Sequence, residues 1–192
     1  MEIQLNSLRK MVNDLIEQNK SLKAKITSLE DEILKIRAQY KFYLNKSATK
    51  GKNFNVIQEF IDSTNNKLSI ITPYVDSTFV NFFIKINKLK DVNIQIILHD
   101  RQMIPNDRDD LLKGFDELQL NSLITKIYNS DSKMTILIQD DRRILICSTN
   151  LSKKDILETY NFIIVVEDPF LIERFKSQYE EQLPHFMRTG TF

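Results

Sequence analysis

The sequence predicts an α/β domain with a mixed sheet and helices on both of its faces, preceded by a long helix that pairs as a parallel dimeric coiled coil. The first observation is a heptad repeat of apolar residues within residues 1–45. The second is the alternation of amphipathic and short apolar segments after residue 54, which is typical of helices layered on a sheet. The third is the stretch 133–151, where two apolar runs flank a polar turn and predict a β-hairpin.

The heptad repeat gives the N-terminal helix a readable register. Eleven of its twelve a and d positions are apolar or aromatic, and the twelve in chain order are Leu5, Leu8, Val12, Leu15, Asn19, Leu22, Ile26, Leu29, Ile33, Ile36, Tyr40 and Tyr43. An amphipathic helix packed on its own domain would show a wider apolar face and rarely such a strict repeat. We therefore expect a coiled coil over residues 1–45, with a homodimer contact through residues 5–43.

The residues in this register favour two parallel strands. β-branched residues at a with leucine at d are typical of parallel dimers, and Asn19 is the single polar residue at an a position. In a parallel, in-register pair the two Asn19 amides face each other and form a hydrogen bond. Lys25 also faces Glu30 of the partner helix, and Glu32 faces Arg37, although each exposed pair contributes only about 0.5 kcal/mol.

The composition excludes several classes of protein. The chain has 27 basic and 26 acidic residues, a net charge of +1, so its overall charge draws it to neither nucleic acid nor an anionic membrane. No apolar run approaches the roughly 20 residues of a membrane span. Cys147 is the one cysteine, and His99 and His185 are the two histidines, at unrelated positions. We expect a cytoplasmic protein without a metal site or a cofactor.

The predicted domains follow from this pattern. Residues 46–53 are polar and carry three lysines, which indicates a linker, and residues 54–192 form the α/β domain. Ser152 and Asp155 form a capping-box pattern, and Asp168 caps the last helix with Pro169 at its first position. The predicted elements are helix 55–65, strand 68–72, helix 77–89, strand 92–98, helix 107–118, strand 123–128, strands 134–139 and 143–147, a short helix after 152, strand 160–166 and a helix to about residue 183.

Four stretches within residues 54–183 resemble one half of the phospholipase D superfamily. The segment KLSIITPYV resembles the opening strand of the family, and VNIQIILHD resembles its second strand. The hairpin 133–151 resembles its signature, His-x-Lys, four residues, Asp, six residues, Gly-Ser-x-Asn. The segment NFIIVVEDPFLIERFKSQYEEQ resembles its closing strand and helix. The layout is also similar to archaeal TrmB-type regulators, whose effector domain belongs to this superfamily and binds sugars. Their winged helix has no counterpart in this sequence, so we expect no direct promoter recognition.

The resemblance departs from the family at the reactive positions. Counted back from Asn150, the matched residues are Asn150, Ser148 and Asp140 where the family has the same residues, Cys147 for Gly, Thr135 for Lys, Lys133 for the nucleophilic His, and Asn161 for a Glu before the last strand. A longer turn would instead place Asp131 at the His position and Lys133 at the Lys position. Neither alignment supplies the imidazole that the family reaction needs to attack phosphorus.

Three functions remain open at this point. The resemblance implies a catalytically inactive homodimer that acts as a binding, regulatory or scaffold module, with a phosphate pocket built from Lys133, Thr135, Ser148 and Asn150 and with a nucleic acid or a protein as a further partner. In such a homodimer the hairpin 133–151 would contribute to the dimer contact. The alternative is an active phosphodiesterase or nuclease that uses Lys133, Asp140 and His99. A third is a pure dimerisation and interaction protein.

Overall fold

A computed structural model describes residues 2–44, 51–129 and 133–189 of the chain. They fall into two compact units, and the boundary between the units follows Gln39. None of the helices over the described residues is long and apolar enough to cross a membrane.

The first unit is one uninterrupted helix, α1 (Glu2–Gln39). This confirms the long N-terminal helix that the heptad pattern predicts. Between residues 11 and 36 its large apolar side chains are exposed; Leu22 is 56%, Leu29 57% and Ile36 57% exposed. The pairing of this helix as a coiled coil stays a prediction.

The helix prediction is wrong for residues 40–44. These residues form strand β1 (Tyr40–Leu44), which pairs antiparallel with strand β7 (Phe162–Val166). Their side chains are largely aromatic, and Phe42 stacks on Phe162 with ring centroids 5.9 Å apart. Ladder hydrogen bonds and cross-strand aromatic contacts therefore override a heptad pattern that happens to continue through Tyr40 and Tyr43. The α/β unit begins at residue 40, and not at residue 54.

The last two residues of the predicted linker are helical in the structure. Residues 45–50 lie outside the described residues, and helix α2 (Lys52–Asp62) begins directly after Gly51. Gly51 has a φ of 92°, a left-handed conformation that favours glycine at this helix start. Lys52 and Asn53 therefore belong to α2, and Asn53 is fully buried.

The remaining elements follow the predicted order. They are β2 (Lys67–Ile71), α3 (Ser77–Lys90), β3 (Asn93–Leu98), a short 3-10 turn (Arg101–Met103), α4 (Asp109–Gln119), β4 (Ile124–Tyr128), β5 (Thr135–Gln139), β6 (Arg143–Cys147), α5 (Lys153–Glu158), β7 and α6 (Pro169–Thr189). The seven strands form one sheet in the order β1-β7-β6-β5-β2-β3-β4. β2, β3 and β4 are parallel to one another, whereas β5 is antiparallel to β2 and every pair from β5 to β1 is antiparallel.

Two apolar cores cover the two faces of this sheet. The larger core contains Phe60 of α2, Phe79 of α3, Leu111 of α4 and Ile156 of α5. The smaller core lies between α6 and the other face of the sheet. It contains Ile172 and Tyr179 of α6 together with Ile97 of β3 and Ile138 of β5. The predicted fold class, a mixed sheet with helices on both faces, is confirmed.

Two helix caps match the sequence pattern and two boundaries differ from it. Ser152 Oγ accepts a hydrogen bond from the Asp155 N–H at 3.3 Å, and Asp168 accepts from the Phe170 N–H at 2.9 Å. β7 begins at residue 162 and not at the predicted residue 160. Tyr160 lies on the surface before the strand and is 84% exposed. α6 continues to Thr189, beyond the predicted end near residue 183.

Candidate functional site

The carboxyl edge of the sheet carries most of the predicted site residues. We use this name for the edge at which β2, β3, β4 and β6 end and β5 begins. In open α/β sheets, ligands bind outside the carboxyl ends of the strands. Thr135 lies opposite Cys147 in the β5–β6 ladder, so Lys133 and Ser148 both extend beyond the ladder at this edge. Asn150 follows there, before Leu151 forms a bridge with Val75.

Thr135, at the family's lysine position, is a buried structural residue. Its side chain is fully buried, and its Oγ1 lies 2.8 Å from Oγ1 of Thr72, which is also fully buried. Thr72 Oγ1 in turn donates to the Tyr74 carbonyl at 3.0 Å. Because one hydroxyl has one proton, Thr135 is the donor to Thr72 in this chain of bonds. The hydroxyls link the start of β5 to the end of β2.

Ser148 and Asn150 also make contacts within the chain. Ser148 is exposed, and its Oγ accepts a hydrogen bond from the Phe162 N–H at 3.0 Å. Asn150 Nδ2 donates to a carboxylate oxygen of Asp155 at 3.1 Å. Lys133 is exposed in front of β5. The structure thus brings the four predicted ligand-binding residues to one edge, with Lys133 as the exposed cation among them.

An ion cluster around Arg108, which the sequence did not reveal, holds residues of this edge in place. Arg108 donates to both carboxylate oxygens of Asp110 at 2.9 Å, and its Nη2 lies 3.0 Å from Asp155. It also donates to Ser152 Oγ at 3.2 Å. The Arg108 hydrogen bonds hold the pKa of Asp110 below its usual value, against the effect of burial. The cluster fixes Asp155, which in turn positions Asn150.

Asp76 lies in the same region, and its carboxylate accepts hydrogen bonds from backbone N–H groups. It caps α3 by accepting from the Phe79 N–H at 3.1 Å, and it accepts from the Lys153 N–H at 2.6 Å. Burial raises the pKa of Asp76 despite these backbone donors, and the nearby charge of Asp110 acts in the same direction. The carboxyl group therefore joins the starts of α3 and α5.

Asp140, the retained acidic residue of the signature, lies at the opposite edge of the sheet. It follows β5, whereas Lys133 precedes that strand, so the seven-residue step places them roughly 20 Å apart. Its carboxylate accepts hydrogen bonds from the N–H groups of Asn65, Asn66 and Lys67 at 3.0, 2.7 and 2.9 Å. Burial alone would raise the pKa of Asp140, but these donors and the charge of Arg142 lower it. Asp140 holds the entry to β2.

His99 directly follows β3 at the carboxyl edge and is 8% exposed. Its ring packs edge-to-face against Tyr74 with centroids 5.0 Å apart, and its backbone N–H donates to the Pro73 carbonyl. Tyr74 is held by its own hydroxyl, which donates to the Met103 carbonyl at 2.6 Å. His185 lies in α6, and its side chain is outside the described residues, as is Asp131 of the shifted alignment.

The positions of the family's Gly and Glu also hold buried residues. Cys147 is fully buried, and its burial raises the pKa of the thiol to about 11. Asn161 donates to the Ile156 carbonyl at 2.8 Å and accepts from Asn53 Nδ2 at 2.6 Å. This amide pair links the start of β7 to α2. Within the part of the chain that is described, no three or more His, Cys, Asp or Glu residues group in a way that could hold a metal ion.

The family model described as "Cardiolipin synthase, PLD-like domain" matches residues 57–184. Among solved structures, NucT from Helicobacter pylori is 17% identical with a TM-score of 0.63, covering 76% of this chain and 96% of that one. The phospholipase D family member Nuc from Salmonella typhimurium is 15% identical with a TM-score of 0.62, covering 74% and 91%. TrmBL2, an archaeal chromatin protein, is 15% identical with a TM-score of 0.52, covering 94% and 69%. No curated protein matches the sequence.

Proposed function

This chain belongs to the phospholipase D-like family, and from that premise we propose that it is a catalytically inactive member that binds phosphate groups as a homodimer. The phosphate groups are those of a nucleic acid or of a smaller phosphate-bearing ligand. The carboxyl edge supplies the binding surface, and α1 supplies the dimer contact.

The observation that carries the proposal is the residue found at the family's lysine position. Thr135 cannot neutralise a phosphate, since its side chain is fully buried and its hydroxyl is engaged with Thr72. At the histidine position stands Lys133, which is exposed. A lysine amine attacks phosphorus only after losing its proton, and that requires a desolvated site. These positions fit a retained anion contact and do not fit the family reaction.

The residue at the family's glutamate position also agrees with loss of the reaction. The family's Glu position holds Asn161, whose amide is paired with Asn53 inside the core. A neutral amide that is hydrogen-bonded inside the core neither orients an imidazole nor balances its charge. The histidine, lysine and glutamate positions therefore hold one exposed lysine and two buried polar residues with partners of their own.

The alternative enzyme finds little support in the geometry. It would combine Lys133, Asp140 and His99, yet Asp140 stands at the other edge of the sheet and binds three backbone N–H groups. His99 is buried against Tyr74. A general acid or base must lie within hydrogen-bond reach of the reacting group, and these three side chains share no such position.

Dimerisation is supported by the exposed apolar side chains of α1. Single exposed apolar residues are ordinary, but here they recur at the heptad spacing of a dimer seam along a helix about 57 Å long. Nucleic acid as the source of phosphate is suggested by TrmBL2, a protein of similar fold whose structure is described as showing a novel mode of DNA binding.

Binding and turnover are tested together on the full chain. We expect no hydrolysis of bis(p-nitrophenyl) phosphate or of single-stranded DNA. We expect fluorescein-labelled single-stranded DNA to bind with a salt-dependent Kd. Lys133→Ala should weaken this binding and lower the salt slope by about 0.7 for each phosphate that the lysine neutralises. Lys113→Ala, an exposed change on α4, is the matched control.

Two results would contradict the proposal. Hydrolysis that disappears in Lys133→Ala but persists in Lys113→Ala would show an active enzyme. Equal DNA affinity of the wild type and Lys133→Ala, together with no shift of the melting temperature in phosphate, would remove the carboxyl edge as an anion site.

A further inference from the structure

We propose that two copies of the chain pair antiparallel through strand β1, so that their two sheets join edge to edge into one continuous sheet. Among the described strands, β1 is the last at one end of the sheet and has β7 as its neighbour. This contact deepens the homodimer of the proposed function and rests on it. β7 lies between β1 and the hairpin 133–151, so the contact differs from the hairpin contact that the sequence led us to expect.

β1 lacks the usual protection of a sheet edge against pairing. Edge strands commonly carry charged side chains or proline, which oppose pairing with another chain. The sequence of β1 is Tyr-Lys-Phe-Tyr-Leu, which contains no proline and a single charge. That charge, on Lys41, is already paired with Glu167 at 3.3 Å. A second strand that approaches β1 therefore meets an aromatic strand whose one charge is balanced within the chain.

The two ends of the sheet also differ in what they expose. β4, at the other end, keeps Ile124 and Ile127 buried, at 1% and 7% exposure. β1 exposes 64% of Phe42 and 42% of Leu44. Phe42 stacks on Phe162 of β7, which is itself 37% exposed. Exposed aromatic and aliphatic side chains grouped in this way are typical of a protein interface.

A second copy is the partner that fits, because β1 is complementary to itself. In an antiparallel register centred on Phe42, all five residues pair, and Phe42 faces its own copy. Tyr40 then faces Leu44 of the second copy on the same side of the sheet. On the other side, Lys41 faces Tyr43 and not the second Lys41. Aromatic and aliphatic cross-strand pairs stabilise a sheet, whereas like charges directly opposite each other destabilise it.

The chain connection brings the second β1 within reach. Tyr40 directly follows Gln39, the last residue of α1. Paired helices lie about 8–10 Å apart, so a coiled coil of α1 holds the two Tyr40 residues at about that separation. The register centred on Phe42 requires roughly 14 Å between them, four residues along the strands and one strand spacing across. The difference is about the 3.8 Å step of one residue, so one dimer can make both contacts.

Cysteine variants of the full chain test this register. A disulfide forms when two Cα atoms lie about 4.4–6.8 Å apart, and opposed residues of antiparallel strands are about 4.5–5.5 Å apart. Under mild oxidation, Phe42→Cys should therefore form an interchain disulfide. Tyr40→Cys and Leu44→Cys should each do so at least about tenfold more slowly, because equivalent residues there lie roughly 14 Å apart. The double variant Tyr40→Cys/Leu44→Cys should crosslink as fast as Phe42→Cys.

Leu120→Cys is the matched control, since Leu120 is an exposed apolar residue at the end of α4. It should stay unlinked, and the native Cys147 does not compete because it is fully buried. Crosslinking that is fastest in Tyr40→Cys and falls toward Leu44→Cys would show proximity through α1 alone and would overturn the strand pairing. An unlinked Phe42→Cys in a protein that light scattering shows to be dimeric would overturn it too. Both results leave the α1 dimer and DNA binding standing, whereas a monomer removes the homodimer as well.

Hydrogen exchange of the wild type tests the same contact without a substitution. In a strand with one neighbour, alternate N–H groups point away from the sheet and exchange fast, whereas a strand with two neighbours protects them all. The consecutive amides of Lys41, Phe42 and Tyr43 should therefore all exchange at least about 100-fold more slowly than those of an unstructured chain. Fast exchange at Phe42, or at both Lys41 and Tyr43, in a dimeric sample would contradict the pairing of β1.

Discussion

The hydroxyl oxygens of Thr72 and Thr135 lie 2.8 Å apart in a fully buried pair at the carboxyl edge of the sheet. Thr135 stands where the family signature has a lysine. A buried hydroxyl pair stabilises the junction of β2 and β5 but offers no charge to a ligand.

The direction of this bond predicts unequal costs for the two valine substitutions. Thr135→Val removes a donor and should lower the free energy of unfolding by about 1 kcal/mol. Thr72→Val leaves the Thr135 hydroxyl and the Tyr74 carbonyl without this partner and should cost about 2 kcal/mol. Urea denaturation of both variants and of the double variant measures this, and the double variant should cost less than the sum. A larger loss in Thr135→Val would reverse the donor assignment.

The sequence could predict the sheet and its order along the chain because each strand is a short apolar run between polar turns. It could not predict β1. The Tyr40–Leu44 strand pairs with residues about 120 positions away, and nothing local distinguishes it from the last heptad of the preceding helix. The heptad pattern therefore predicted a helix for five residues that form a strand.

Asp140 predicts a specific acid dependence of stability. Its folded pKa is lowered, so its contribution is fully present above its unfolded pKa of about 4 and is lost as the pH falls from there through the folded value. Asp140→Asn should cost about 2 kcal/mol at pH 7 and progressively less as the pH falls below about 4, measured by urea denaturation. Asparagine tolerates the positive φ of 51° at this position, so backbone strain does not confuse the comparison.

The neighbouring turn residue is the matched control for Asp140. Asp141 has almost the same backbone conformation, with a φ of 52°, but its carboxylate makes ion pairs with Lys176 at 3.1 Å and Lys67 at 3.9 Å. Such exposed pairs contribute less than about 1 kcal/mol, so Asp141→Asn should have a small effect. Equal losses in the two variants would mean that the three backbone N–H bonds of Asp140 do not stabilise the entry to β2.

Gly114 predicts a severe loss of stability from one added methyl group. A Cβ at this position of α4 would lie 2.4 Å from the Val75 carbonyl oxygen and 2.6 Å from the Asp76 backbone. Since backbone atoms cannot turn aside, Gly114→Ala should lower the free energy of unfolding by about 3 kcal/mol or more. Lys113→Ala, on the exposed side of the same helix, should be nearly neutral. A melting temperature unchanged by Gly114→Ala would contradict the close packing of α4 against the backbone of Val75 and Asp76.

The candidate site was predictable only in outline. Matching residues to the family signature located Lys133, Ser148 and Asn150 near one another, because hairpin register follows from local pattern. The support beneath them was not predictable. Arg108 and Asp155 are 47 residues apart and meet through the packing of helices, which no spacing along the sequence encodes.

Asn19 predicts the state of association. If α1 pairs as a parallel coiled coil, Asn19 lies at an a position facing its copy, and Asn19→Ile should raise the thermal stability of the dimer while allowing trimers or higher oligomers. The same change on the outer face of the helix lacks this effect, so Lys20→Ile is the matched control. Light scattering coupled to gel filtration measures both variants and the wild type. A wild-type monomer would remove the coiled coil and the homodimer with it. A wild-type dimer that Asn19→Ile leaves unchanged in stability and oligomeric state would place the contact on another face.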